Sequence, residues 1–208
     1  MTDVFYFKTE IWVPLYTGVK AESLQEFYEA LLSVPNGSLL YHLYINLFNY
    51  HNLPTMYTNS FAYWFQHIGC DALAEKISSI DPTRYHDLEA LRERLIEILS
   101  EHKEDCAKRQ ASPFYFMDIY REVIDMGEHA TSLEELIKGI EKSSIYSLFH
   151  HLITSKIDNK RVINDYSQWL MSMGYPKKAE LIEALDLYAL NLYEVKSLIL
   201  EILKDDKT

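Results

Sequence analysis

The sequence predicts an all-α fold made of two tandem copies of a multi-helix unit, packed about a pseudo-twofold axis. Three observations lead there: an internal repeat running the length of the chain, capped apolar periodicities of helical spacing, and few breakers, with 6 Gly and 6 Pro in 208 residues.

The repeat comes first. "FYF" at Phe5 to Phe7 returns at Phe114 to Phe116, and the same offset of 109 pairs Gly18 with Gly127, Ala21 with Ala130, and Ser23, Leu24 and Glu26 with Ser132, Leu133 and Glu135. From Phe5 to Glu26 this gives 8 identities in 22 positions. Ordinary residue usage gives roughly one or two. Past "PNG" at Pro35 to Gly37 the offset is read as 106, aligning Ser38 with Ser144 and setting Ser147 and Leu148 opposite Tyr41 and His42. An offset of 105 then matches Asn59 with Asn164, Trp64 with Trp169, Gly69 with Gly174 and Asp81 with Asp186, and 104 matches Leu88 with Leu192 and Arg92 with Lys196. The expected organisation is a first helical repeat over 1–100, a polar linker over 101–112 and a second repeat over 113–208.

Taken in order, the first segment of each repeat is read as a helix, with an extended segment left open for the first repeat. Pro14 makes it short or kinked in the first copy, where "EIWVPLY" is β-prone, and Ser112 with Pro113 resembles a cap and first-turn proline in the second. Gly18 and Gly127 suit left-handed helix ends. No alternating strand is expected after residue 20. Ser23 with Glu26, and Ser132 with Glu135, have capping-box spacing, so a helix should start at each. The last segment of each repeat carries Leu88, Leu91, Leu95 and Ile98, or Leu192, Val195, Ile199 and Ile202, on one apolar stripe behind Asp87 or Asn191 as cap. About six helices per repeat follow from ordinary helix lengths.

A net charge of −11 with scattered Lys and Arg disfavours nucleic acid and anionic lipid as partners. No apolar run approaches the roughly 20 residues that span a bilayer, and no leader-like segment opens the chain, so a soluble cytoplasmic protein is expected. Cys70 and Cys106 form no CxxC pair and are read as reduced, buried side chains.

No motif for phosphate cradling, nucleophilic catalysis or metal ligation occurs, and no catalytic residue, metal or cofactor is assigned. His86 and Asp87 resemble a metal-phosphohydrolase pair, but Asp87 already serves as a cap. His150 and His151, adjacent on a predicted helix, lie about 100° apart and are poorly placed to share a metal. The segment "SLLYHLYINLFNYH" offers Tyr41, His42 and His51 as ligand-binding candidates on an aromatic groove, with a buried, hydrogen-bonded core histidine as the structural alternative for His42. Asn59 and Trp64, with Asn164 and Trp169, are read as helix caps and packing anchors.

At these residues the chain resembles a bacterial and archaeal family known as a domain of unknown function, whose members carry blocks like "SIYYH", "NDFSxW" and "LAExIxxID". The matching positions are Ser38 to His42, then Asn59, Phe61, Ala62 and Trp64, then Leu73, Ala74, Glu75, Ile77, Ile80 and Asp81. The second copy offers Ser144, Ile145 and Tyr146, then Asn164, Asp165, Tyr166, Ser167 and Trp169. The resemblance implies an association with glycosyltransferases and supplies no catalytic residue. The function expected is a non-catalytic helical scaffold or regulator of a partner enzyme, with a glycosyltransferase as candidate partner and homo-oligomerisation left open. The alternative is a small-molecule or sugar-phosphate binder, or enzyme, using the Tyr41 and His42 groove.

Overall fold

The computed structural model describes residues 3–48, 59–102 and 112–205. The fold is mixed α/β, which corrects the all-α expectation. Two 17-residue strands, β1 (Phe5–Ala21) and β2 (Phe114–Ala130), pair in a two-stranded antiparallel sheet. β2 lies where a helix is expected, and β1 where the sequence leaves helix or extended chain open. Phe5 and Phe7 are buried while Tyr6 and Lys8 are exposed, and Phe114 and Phe116 are buried around an exposed Tyr115, which is strand alternation. Every strand of a two-stranded sheet is an edge, so Pro14 is tolerated there. Gly18 and Gly127 do take positive φ, 82° and 69°, but inside the strands.

After β1 come α1 (Leu24–Leu31), α2 (Asn36–Tyr44) with a 3-10 turn at Ile45–Phe48, α3 (Ser60–His67), α4 (Asp71–Ser78), a 3-10 turn at Pro82–Arg84 and α5 (Leu88–Glu101). After β2 come α6 (Leu133–Lys142), α7 (Ile145–Phe149), a π turn at His150–Thr154, α8 (Ser155–Asn159), α9 (Asp165–Ser172), α10 (Pro176–Glu183) and α11 (Leu192–Lys204). The predicted caps are in place. Ser23 Oγ accepts from the Glu26 amide and Ser132 Oγ from the Glu135 amide, while each glutamate reaches back to the amide of Glu22 or Thr131. Asp87 caps α5, and Asn191 with Glu194 forms a full capping box on α11. Cys70 is buried and disulfide-bonded, so the expectation of a reduced thiol fails there. No helix among the described residues is long and apolar enough to cross a membrane.

The chain divides into two compact units, and the division falls inside both strands: one unit is Trp12–Tyr120, the inner unit in sequence, and the other is Met1–Ile11 with Arg121–Thr208, the outer unit. In the inner unit Phe27 packs against Phe61, Trp64, Phe65, Phe114 and Phe116, with ring centroids 4.8–5.3 Å apart. Arg92, 8% exposed, donates to the carbonyls of Leu31 and Val34 and so closes the end of α1. In the outer unit Phe5 stacks on Tyr166 at 5.2 Å, and Lys196 donates to the carbonyls of Glu141 and Ser143 at the end of α6. Both cations stand where a helix C-terminus favours positive charge.

Gly139 of α6 faces the ring of Phe7, and a Cβ added there falls inside the ring's van der Waals contact distance. A helix interior ordinarily favours alanine over glycine by roughly 0.5–1 kcal/mol. We expect Gly139→Ala instead to destabilise the protein by about 1–3 kcal/mol through overpacking, read as a lower urea midpoint. An unchanged or raised midpoint would show that Phe7 does not seat on Gly139.

Candidate functional site

Each unit pins its strand to its helices with a histidine. In the inner unit the Met117 amide of β2 donates to His42 Nε2 at 2.9 Å, and in the outer unit the Lys8 amide of β1 donates to His151 Nε2 at 3.0 Å. Lys8 and Met117 are 109 apart, and so are His42 and His151. The register read from the sequence slipped too early: "SLLYHL" from Ser38 answers "SLFHHL" from Ser147, so Tyr41 and His42 match His150 and His151 rather than Ser147 and Leu148. An N–H donor on Nε2 leaves the ring proton on Nδ1 in both histidines.

His42 is 4% exposed, packed 4.8 Å from Phe114 and 5.2 Å from Phe61, and its Nδ1 is buried without a partner. Burial pushes its pKa down to about 3. Tyr41 is half-buried beside it, and His51 lies outside the described residues. Asn59 caps α3 by accepting from the Ala62 amide, and Asn164 caps α9 by accepting from the Ser167 amide. Trp64 donates its indole N–H to the Ser112 carbonyl, and Trp169 donates to that of Asp3. These four residues hold each unit's short helix and strand entrance in place.

The outer unit surrounds its histidine with further polar groups. The His151 Nδ1–H donates to Asp165 Oδ2 at 2.8 Å, and Arg161 bonds the other Asp165 oxygen and the Gln168 amide oxygen. Burial lowers the His151 pKa, with Asp165 opposing it. Burial works to raise the Asp165 pKa, but the His151 and Arg161 contacts outweigh it and hold the carboxyl below its usual range. Beside this lies a buried cluster: Glu10, 2% exposed, accepts from Arg121 at 3.0 Å and Thr154 at 2.7 Å, with His150 Nδ1 at 3.2 Å, and Arg121 also bonds Asp158. His150 and His151 open the π turn, their rings 5.0 Å apart, and serve different partners.

His150, His151 and Asp165 each offer a ligand atom within 4.8 Å of one another. The donor pattern does not suit a cation. A ligating histidine normally gives its second nitrogen's proton to an acceptor, whereas His151 Nε2 faces an amide donor and its Nδ1–H is already given to Asp165.

Against this cluster lies an open cleft of about 610 Å³. Its floor carries Asp3, Tyr6 and Lys8, with Asp125 of β2 on one side. Its wall is one face of α9, where Asp165, Gln168, Trp169 and Ser172 follow at helical spacings of three and four. Nothing in the sequence alone singled out this face, although Asp165 and Trp169 fall in the repeated block.

A long two-stranded antiparallel ribbon set among helices defines the fold class. The chain belongs to the Family of unknown function (DUF5752), whose model matches residues 2–204. It is similar to OrfY from Thermoproteus tenax, a solved structure with 26% sequence identity and a TM-score of 0.85, covering 99% of this chain and 97% of that one. No match was found among curated proteins.

Two expectations follow. The counterparts of Glu10 and Arg121 in the inner unit are Ile119 and Trp12. Glu10→Gln or Arg121→Met alone should cost about 3–5 kcal/mol by stranding a buried partner, whereas the double change Glu10→Gln with Arg121→Met should cost less than the two single changes added together in the same urea titration. The second concerns His42, which titrates near 6.5 unfolded and near 3 in the fold. Its contribution is whole above pH about 6.5 and is lost as pH falls toward about 3. His42→Gln should flatten that part of the stability profile, and an unchanged slope would count against a buried neutral ring.

Proposed function

We propose that the chain is a non-catalytic binding protein whose small-molecule site is the outer unit's cleft, and that occupancy of this cleft regulates a partner enzyme. One observation carries the reading. The buried polar cluster behind the cleft has apolar or uncharged counterparts in the inner unit, Ile119 for Glu10, Trp12 for Arg121, Tyr41 for His150, Ile45 for Thr154 and Ser60 for Asp165. A buried ion network costs desolvation that apolar packing avoids, so stability alone does not account for it. The same cluster ties β1 to the π turn, which fixes Lys8 and His151 on the cleft. His151 has both nitrogens committed and supplies no base, which favours binding over catalysis. The Tyr41 and His42 groove has less support, because His42 Nε2 is already occupied. We also propose that the two halves are diverged copies, of which the second acquired the site.

The test is a thermal-shift screen of the full chain against amino acids, sugars, sugar phosphates and nucleotides. A true ligand at about 100 times its Kd should raise Tm by roughly 5–10 °C. Gln168→Ala should remove that shift while leaving the unliganded Tm nearly unchanged. The reading fails if no class raises Tm, or if the shift survives in Gln168→Ala.

A further inference from the structure

From the charges left unmatched in the cleft, we infer the class of ligand: a zwitterion, namely a free α-amino acid with an apolar side chain. The inference rests on the cleft being a binding site. Among the described residues, the Lys8 ammonium and the Asp3 and Asp125 carboxylates have no ion-pair partner. The third carboxylate, Asp165, is matched by Arg161 and by the His151 N–H. The cleft therefore holds free charge of both signs, and the complementary ligand brings a carboxylate to Lys8 and an ammonium to Asp3 and Asp125. Gln168 has its amide oxygen taken by Arg161, so it offers only N–H donors, which also suit a carboxylate.

Other classes fit less well. A phosphate would meet three carboxylates against one lysine, and opposite signs of charge would leave either Lys8 or the free aspartates unmatched for a simple anion or a simple amine. Val4, 37% exposed, and Tyr6, 58% exposed, supply the apolar surface against which a ligand side chain packs.

Isothermal titration of the full chain separates these classes, using L-phenylalanine and L-leucine, N-acetyl-L-phenylalanine, which lacks the ammonium, L-phenylalaninamide, which lacks the carboxylate, and glucose. Phenylalanine or leucine should bind at least about tenfold more tightly than either blocked analogue. Lys8→Met should abolish the preference over the amide, and Asp125→Asn the preference over the N-acetyl form. Equal binding of free and blocked forms, or tighter binding of glucose, overturns the zwitterion assignment. If another class binds and Gln168→Ala abolishes it, the cleft remains a binding site and only its ligand class is wrong. If nothing binds here or in the wider thermal-shift screen, both conclusions fall.

Discussion

A backbone N–H on a two-stranded ribbon that is not given to the neighbouring strand must find another acceptor or lie in water. Here the Lys8 and Met117 amides find a histidine nitrogen, and the buried phenylalanines on either side shield the bond. That requirement shapes much of each unit. It keeps His42 and His151 neutral, fixes their proton on Nδ1, and seats Phe5 and Phe7, or Phe114 and Phe116, against the helices. Without an acceptor the strand would offer a buried unpaired donor, costing roughly 1–3 kcal/mol, at the point where it enters the core.

The two units answer the same demand differently on the far side of the ring. His42 leaves its Nδ1–H without a partner, and the surrounding rings are apolar. His151 passes its proton to Asp165, which in turn holds Arg161, and Arg161 holds Gln168. A helix face that would otherwise be ordinary surface thereby gains a fixed orientation. The Glu10 and Arg121 pair adds a second tie to the same strand and the same π turn. Side chains held from behind in this way would lose little freedom on meeting a ligand, which would lower the cost of binding.

Local features were legible in the sequence. Ser23, Ser132, Asp87 and Asn191 start helices where their spacing said they would, and Asn59 and Asn164 cap the two short helices that carry Trp64 and Trp169. The strands are harder to read because pairing is non-local: the partner of β1 lies some hundred residues away, and a Pro and a Gly inside that segment resemble helix punctuation. The alternation of Phe5, Tyr6, Phe7 and Lys8 was the available signal. The slip in register has a related cause. Assigning the length difference to "PNG" set His42 against Leu148, although Ser, Leu, His and Leu recur at the unbroken offset of 109 from Ser38 to Leu43 and Ser147 to Leu152. No local pattern indicates that Glu10, an acidic residue on a strand, is buried at 2% exposure; its partners come from residues 121 to 154.

The exchange of strand halves between units has a consequence for the order in which the chain is made. Trp12–Tyr120 is complete once residue 120 has been synthesised, so that unit has all its parts while the rest is still missing. Phe5–Ile11 is made before that unit but belongs with helices made after it, so Phe5 and Phe7 await burial until the histidine that receives the Lys8 amide has emerged. An apolar segment made ahead of the inner unit thus finds its place after it, and slow or interrupted translation of the second half would leave that segment exposed to unwanted pairing.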